Sequence, residues 1–257
     1  MRNAESAADV PAALSIPADH GAPMLTLREL AKAVLDLVYP PICCICDRVG
    51  DDYVCRTCLE LISPIPEPFC GVCGQPGVSG VCFECSQHPP AFQRARAVGL
   101  FDGVLRDAIH VLKYDARPSV AGPLGRLLAA YALEHQELTH VDAVVPLPIH
   151  RRRERQRGFN QSVLLAGHVA AAVGAPLLIR ALARSVNTPP QVGLDRQQRR
   201  ANVANAFAVA SASEVAGRRV LLIDDVMTTG ATCNAASEAL LSAGAVSVQV
   251  LTLARQP

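Results

Sequence analysis

From residue 89 onward, short apolar runs alternate with longer stretches whose apolar residues recur every three or four positions. The first pattern is typical of strands and the second of amphipathic helices. The predicted strands are RARAVGLF, DAVVPLP, LLIRALAR, NAFAVA, RRVLLIDD and AVSVQVLTL. The predicted helices are VLRDAIHVLKY, residues 119–135, NQSVLLAGHVAAAVG and TCNAASEALLSAG. This alternation predicts an α/β fold for residues 89–257, with a mostly parallel sheet flanked by helices on both faces.

The first 41 residues have a different character. Residues 1–23 are rich in Ala, Pro and Asp, and we expect a disordered leader. Residues 24–41 have apolar residues at helical spacing and end in two prolines, which predicts an amphipathic helix that packs on the body of the protein.

Composition limits the possible classes of protein. Half of the 257 residues are hydrophobic and 18% are charged, so the chain can bury a substantial core. The net charge of +1 gives no global preference for nucleic acid. No apolar run approaches the ~20 residues of a membrane span, and the N-terminus has no continuous apolar signal region. We therefore expect a cytoplasmic protein without membrane insertion.

Residues 42–88 contain a doubled cysteine motif. Four C-x-x-C pairs occur, and the last two repeat the first two at an offset of 27 residues. An internal repeat implies two copies of one small unit, and four thiolates suit one tetrahedral zinc ion. The segment therefore predicts a double zinc-ribbon module with two structural Zn²⁺ ions. The expected ligands are Cys43, Cys46, Cys55, Cys58, Cys70, Cys73, Cys82 and Cys85.

The simplest ligand pairing follows the repeat, with the first four cysteines on one ion and the last four on the other, and an interleaved pairing is the alternative. An iron–sulfur cluster is a minor alternative, because its usual spacings differ. Gly71 and Gly74 suit the tight turn of a zinc knuckle. Cys44 and Cys233 stand outside the repeat. Cys233 falls at a predicted helix start that would favour a thiolate, although a packing role is the simpler interpretation.

The segment VLLIDDVMTTGAT, residues 220–232, places an acidic pair next to a loop suited to an anion. Ligands of parallel sheets bind beyond the carboxyl ends of the strands, and backbone N–H groups at a helix start attract phosphate. The Walker lysine is absent. Carboxylates accept hydrogen bonds from vicinal hydroxyls, whereas the loop suits a phosphate. A five-carbon sugar phosphate satisfies both requirements.

This segment resembles the phosphoribosyl pyrophosphate (PRPP) motif of type I phosphoribosyltransferases. The resemblance implies that Asp224 and Asp225 hold the ribose hydroxyls and act as the catalytic acidic pair, with Mg²⁺ bound together with PRPP. It also implies a loop that holds the 5′-phosphate. The residues of that loop are Thr228, Thr229, Gly230, Ala231 and Thr232.

Two further segments, VVPLPIHRRRERQRGFNQS and TPPQVGLDRQQRRANVANAF, together with the cysteine block, resemble the ComF/GntX group of competence-associated proteins. The resemblance covers residues 30–257. It implies a type I phosphoribosyltransferase-like domain at 89–257 behind the zinc module, and a link to DNA uptake and transformation.

Arginine clusters mark two segments. Five arginines lie within residues 151–157, directly after a predicted strand, where the transferase fold implies a loop that contacts pyrophosphate. Arg151 and Arg157 are the candidates for that contact. The alternative without a binding role is that the arginines form the solvated start of a basic helix. The second segment contains Arg196 and Arg199, where the fold implies a flap over the site. Both segments could instead follow a nucleic-acid backbone.

Two hypotheses follow. In the first, the protein is a phosphoribosyltransferase that uses PRPP and Mg²⁺ with an unidentified acceptor. In the second, it is a non-catalytic competence factor whose zinc module and arginines contact single-stranded DNA or a helicase-like protein. Fold alone does not decide between them.

Overall fold

The most continuous apolar runs of the chain form the two central strands of a parallel sheet. A computed structural model describes residues 39–184 and 206–256. Strands β5 (Arg219–Met227) and β6 (Ser247–Arg255) are buried over almost their whole length. Both faces of a parallel sheet are covered, which explains the uninterrupted apolar sequence. The predicted parallel sheet with helices on both faces is confirmed.

The sheet has four parallel strands in the order β1-β6-β5-β2, with β1 at Arg94–Leu100 and β2 at Ala143–Pro146. The segments LLIRALAR and NAFAVA contribute β3 (Leu182–Arg184) and β4 (Phe207–Val209), which pair with each other antiparallel instead of joining the main sheet. The predicted leader, the predicted helix at 24–41 over all but its last residues, and Arg196 and Arg199 lie outside the described residues.

Helices cover both faces of the sheet. Those that follow from the sequence pattern are confirmed, and the helix Gln161–Val173 ends at Gly174 in the left-handed conformation, with φ of 68°. The basic segment 151–157 is a short helix rather than a loop. Within residues 39–184 and 206–256 the α-helices are α1 (Arg56–Leu59), α2 (Phe83–Gln87), α3 (Gly103–Tyr114), α4 (Ala121–Glu134), α5 (Arg151–Arg157), α6 (Gln161–Val173), α7 (Ala212–Val215) and α8 (Ala231–Ser242). Short 3₁₀ turns occupy Pro118–Val120 and Gln136–Leu138.

Alternate residues of β5 point into two separate cores. Val220 and Leu222 pack with α8, whereas Leu221 and Ile223 pack with α3, α4 and α6. The two halves of the cysteine segment are divided in the same way. Cys43 and Cys58 lie in the core of α3, α4 and α6, and Cys70, Cys73, Cys82 and Cys85 lie in the core of α8. The two zinc-ribbon units therefore pack on opposite faces of the sheet.

The chain between the two units crosses the free edge of β1. The amide of Leu100 donates to the carbonyl of Ser63 at 2.9 Å, and the amide of Ala95 donates to Val72 at 2.7 Å. At Gly99 an added Cβ would lie 2.5 Å from the carbonyl oxygen of Ser63, so only glycine permits this close approach. The crossing covers an edge strand that could otherwise pair with another chain.

Within residues 39–184 and 206–256, no helix has the length and apolar character needed to cross a membrane.

Candidate functional site

The eight cysteines form two separate tetrads, each with all its sulfur atoms within 4.8 Å of one another. Cys43 Sγ lies 3.8 Å from Cys58 Sγ, and Cys46 Sγ lies 3.7 Å from Cys55 Sγ. In a tetrahedral site with Zn–S bonds of ~2.3 Å, the sulfur atoms are about 3.8 Å apart. The tetrads therefore have the donor type and spacing of structural zinc sites. They contain Cys43, Cys46, Cys55 and Cys58 in one site and Cys70, Cys73, Cys82 and Cys85 in the other.

The sequence repeat is reproduced in the backbone. The amide of Asp47 donates to the carbonyl of Cys43 at 3.0 Å, and 27 residues later the amide of Gly74 donates to Cys70 at 2.9 Å. Asp47 and Gly74 also share positive φ angles of 56° and 68°. The two copies are thus equivalent units, and the pairing that follows the repeat is confirmed over the interleaved one.

Backbone amides favour the thiolate form of one cysteine in each tetrad, Cys43 in the first and Cys70 in the second. Burial alone would raise the pKa of Cys70, but N–H groups of Cys73, Cys82 and Val72 outweigh it and lower that pKa to about 6. Cys44 lies outside the tetrads, and its burial raises its pKa to about 11. Burial, reinforced by the nearby Asp224, raises the pKa of Cys233 well above the usual value. Cys233 is therefore a buried, protonated packing residue.

The acidic pair lies at the carboxyl end of β5, and both residues are buried. The Ser162 hydroxyl, at the start of α6, donates to Asp224 Oδ1 at 3.1 Å. Asn160 fixes that helix start, because its Oδ1 accepts from the Ser162 amide at 2.9 Å and its Nδ2 donates to the Leu147 carbonyl at 3.1 Å. The turn that follows β2 is thereby joined to the carboxylates.

The pKa of Asp224 is raised to about 7. Burial is the main cause of this increase, and the negative charge of Asp225 is the second. Lys113 opposes this shift. Its Nζ lies 2.6 Å from Asp225 Oδ2, and the two side chains are only 19% and 4% exposed. Two adjacent buried carboxylates are stable only with nearby cations or bound protons, so Lys113 is an integral part of the site.

Two arginines complete the charge balance. Burial lowers the pKa of Arg157, and the nearby Asp225 opposes that decrease. Burial likewise lowers the pKa of Arg184, which acts electrostatically on Asp224 and stacks on the Phe207 ring at 5.4 Å. Lys113, Arg157 and Arg184 come from α3, α5 and β3, so three cations from three elements surround the carboxylates.

The loop Thr228–Thr232 lies directly beyond the acidic pair and leads into α8. Gly230 has φ of 80°, and its carbonyl accepts the Asn234 amide at 2.8 Å. The Thr229 hydroxyl accepts a hydrogen bond from the Ala231 amide at 3.4 Å. Thr228, Thr229 and Thr232 are partly exposed, whereas Gly230 and Ala231 are buried. The structure thus brings all five loop residues to the strand end that carries the acidic pair.

The predicted arginines do not all approach this site. Arg157 is half-buried near Asp225 and donates to the Gln161 side chain. Arg151 is exposed, as are Arg152 and Arg155, whereas Arg153 is half-buried and acts electrostatically on Arg184. Arg153 and Arg157 are four residues apart and therefore lie on the same side of α5, which explains why these two are the half-buried arginines of the helix.

Lys113, Ser162 and Arg184 were missed by sequence reasoning, and so was Arg255. The guanidinium of Arg255 donates to Cys73 Sγ at 3.6 Å, to Gln75 Oε1 at 2.8 Å and to the Thr228 carbonyl at 3.3 Å. It thus joins the second cysteine tetrad directly to the loop Thr228–Thr232. For Arg255 the only sequence signal is its position at the end of a buried strand.

A cavity of about 730 Å³ lies between the second ribbon unit and α8 and borders Thr229 and Gly230. Glu84 and Glu238 line it, together with Phe83 and Phe92. The charged side chains of its lining are these two carboxylates and the guanidinium of Arg255, so the cavity has no excess of positive charge that would favour a phosphate. The acidic pair and the loop have the more suitable chemistry.

Comparison with known proteins identifies both parts of the chain. Residues 34–88 match the double zinc ribbon domain, and residues 155–257 match the phosphoribosyl transferase domain. The chain is 33% identical to DNA utilization protein YhgH of Escherichia coli over 85% of this chain and 99% of that protein. It is 32% identical to competence protein F of Haemophilus influenzae over 81% of this chain and 93% of that protein.

Among solved structures, glutamine PRPP amidotransferase from Bacillus subtilis matches 56% of this chain and 30% of that one, with 21% identity and a TM-score of 0.41. The two relatives each match nearly their full length, and both domains are present in the expected order. The chain therefore belongs to the ComF/GntX family, whose members join a double zinc ribbon to a phosphoribosyltransferase domain.

Proposed function

We propose that this protein binds PRPP with Mg²⁺ at the acidic pair and supports displacement of the diphosphate at the ribose C1 carbon. The observation that carries the proposal is the buried pair Asp224 and Asp225 next to a glycine-containing loop at a helix start. A pair of carboxylates suits vicinal hydroxyls, and the loop suits a phosphate. A ligand that carries both vicinal hydroxyls and a phosphate is a ribose phosphate.

Each part of PRPP has a matching group. Asp224 and Asp225 would accept hydrogen bonds from the two ribose hydroxyls. The backbone amides and hydroxyls of Thr228–Thr232 would hold the 5′-phosphate, and Arg157 would approach the diphosphate. Displacement forms a bond from the acceptor to C1 and breaks the bond from C1 to the diphosphate oxygen, which leaves with the electron pair.

The donor set also fits Mg²⁺. Carboxylate oxygens are the hard ligands that this ion prefers. Asp225 Oδ2 accepts no hydrogen bond of ordinary geometry from the described residues, although the Lys113 ammonium lies 2.6 Å from it. When bound with PRPP, Mg²⁺ would neutralise charge that develops on the departing diphosphate. The side chains of the protein would hold the ribose and exclude water around C1.

Calorimetry with PRPP and Mg²⁺ tests the binding proposal. The double substitution Asp224→Asn and Asp225→Asn removes two charge-assisted acceptors, each worth roughly 1.5–3 kcal/mol, so affinity should fall at least 100-fold. Asp142→Asn is a matched control, because Asp142 binds Arg219 at the opposite end of β5. Unchanged PRPP affinity in the double variant, with an intact circular dichroism spectrum, would refute the ribose assignment.

Turnover needs a separate test. Purified protein is incubated with PRPP, Mg²⁺ and a panel of nucleobases, and pyrophosphate release is measured. Release that depends on one nucleobase and disappears in the double variant supports a transferase. Binding without release from any acceptor supports a non-catalytic PRPP-binding protein.

A second candidate function is contact with single-stranded DNA through the exposed arginines of α5. Arg151, Arg152 and Arg155 are exposed, whereas Arg157 is half-buried near Asp225, so the exposed three can meet a longer polyanion while Arg157 remains at the small-molecule site. Their position and charge support a role in DNA uptake of the kind that the names of the relatives suggest. A helicase-like protein is a second partner that fits this hypothesis.

A further inference from the structure

Lys113 holds a position that the proposed ligand would need. It lies in the last turn of α3, which is anchored by the fully buried Leu105, Ile109 and Leu112. Its ammonium nitrogen is 2.6 Å from Asp225 Oδ2. In the PRPP assignment, that carboxylate accepts a ribose hydroxyl. The ammonium and the hydroxyl therefore compete for one oxygen atom.

The contact is a charge pair rather than a directed hydrogen bond. Asp225 Oδ2 is buried, and within the described residues no donor meets hydrogen-bond geometry with it. An ammonium on a flexible four-carbon chain is a mobile point charge. Lys113 can therefore leave Asp225 by rotation of its side chain, without movement of α3.

Little free space exists beside the acidic pair. The concavity lined by Asp224 and the loop measures about 20 Å³, which is room for about one water molecule and far too little for a ribose. Arg157 and Lys113 both approach Asp225. A ribose that reaches Asp225 must displace the ammonium, and a buried ammonium without a counter-ion is strongly unfavourable.

A diphosphate provides the missing counter-ion. PRPP carries this group on C1, adjacent to the hydroxyls that would occupy the carboxylates, whereas ribose 5-phosphate carries none. With PRPP, Lys113 can move from Asp225 to the diphosphate. With ribose 5-phosphate, its displacement has no compensation.

We propose that Lys113 exchanges between Asp225 in the empty site and the diphosphate in the ligand complex, and that this exchange selects ribose phosphates that bear a diphosphate. The inference rests on the proposed PRPP function and assigns Lys113 as its specificity-determining residue.

The test is the ratio of affinities for PRPP and for ribose 5-phosphate, measured by calorimetry with Mg²⁺ in the full-length protein. In the Lys113→Met variant, PRPP binding should weaken at least 10-fold, because the diphosphate loses a cation. Ribose 5-phosphate binding should stay the same or tighten, because no ammonium competes. The ratio should therefore fall at least 10-fold.

If Lys113 only holds Asp225 in place, Lys113→Met should weaken the binding of both ligands alike and leave the ratio of affinities unchanged. That result would overturn the inference. Lys113→Arg should keep the ratio within about 3-fold. Arg106→Met removes a cation from the exposed side of the same helix, where it pairs with Asp107, and should change neither affinity. Wild-type protein that binds neither ligand overturns the PRPP proposal itself, and the inference with it.

A second measurement avoids substitution at Lys113 in case Lys113→Met does not fold. The chain has only two lysines, Lys32 and Lys113, so reductive methylation with ¹³C-formaldehyde gives two lysine signals besides the N-terminus. A Lys32→Arg variant assigns them. The Lys113 signal should move more with PRPP than with ribose 5-phosphate, and equal movement with the two ligands would overturn the exchange.

Discussion

The acidic pair should make the empty protein less stable, and Asp224→Asn should relieve that effect. Asp224 is buried beside a second carboxylate, and its pKa is raised from the usual 3.8 to about 7. The ionised form is therefore disfavoured in the folded state. Asparagine has nearly the same shape and can still accept the Ser162 hydroxyl hydrogen bond, so the substitution removes the charge without creating a cavity.

The shift of about three pKa units sets an upper limit of about 4 kcal/mol, since each unit corresponds to ~1.4 kcal/mol. Coupling with Asp225 divides the effect between the two carboxylates, so we expect Asp224→Asn to stabilise the fold by about 1–3 kcal/mol at pH 8. Because the folded pKa lies above the unfolded one, wild-type stability decreases as the pH rises from about 4 to about 7. The difference in unfolding free energy between Asp224→Asn and wild type should therefore be smaller by about 1 kcal/mol at pH 6 than at pH 8.

Urea unfolding at pH 6, 7 and 8 with a fixed excess of free Zn²⁺ measures this difference. Asp142→Asn is a control whose effect on stability should have the opposite sign. Hydrogen bonds from the Arg219 side chain, and next from the Arg219 amide, lower the pKa of Asp142. Loss of that charge should therefore reduce stability at neutral pH and have no effect in acid. If Asp224→Asn is no more stable than wild type at pH 8, with both zinc ions bound, the proposed electrostatic strain is wrong.

Three further outcomes can be measured independently. Metal analysis should find two zinc ions per chain, and Cys70→Ser should retain about one; less than about one and a half ions in saturated wild type would contradict two four-thiolate sites. Arg255→Met should weaken PRPP binding roughly 10-fold by calorimetry, because the Thr228 carbonyl loses its link to the second tetrad; equal affinity would show that the link is dispensable. Replacement of Arg151, Arg152 and Arg155 by alanine should flatten the salt dependence of single-stranded DNA binding by up to about 2 in log–log slope while PRPP affinity persists; an unaltered slope would remove the arginine helix from the DNA hypothesis.

The parts of the structure that could be predicted from the sequence are those with a local signal. The cysteine tetrads depend on a spacing of three residues and a repeat of 27, both visible in the chain. The central strands are continuous apolar runs, and the acidic pair and its loop lie within 13 consecutive residues. Each feature needs only short-range geometry, so the sequence pattern is sufficient.

The remaining features depend on contacts between distant segments. Ser162 reaches Asp224 across 62 residues, and no pattern near Ser162 distinguishes it from other helix-start serines. The ribbon units pack on opposite faces of the sheet because the chain between them crosses β1 at Gly99. That crossing has no sequence signal other than a glycine in a strand, which is consistent with several structures.

The cations of the site show the limit of sequence reasoning most clearly. A buried acidic pair requires positive charge nearby, and this requirement follows from electrostatics alone. The dense arginine segment is the obvious source in the sequence, but the exposed members of that helix do not reach the pair. The cation in contact with the pair is Lys113, a single residue of an amphipathic helix. The buried face of that helix packs on the core, and this packing places Lys113, in the last turn, next to Asp225. Charge balance therefore predicts that a partner exists, whereas only the packing of α3 identifies which residue it is.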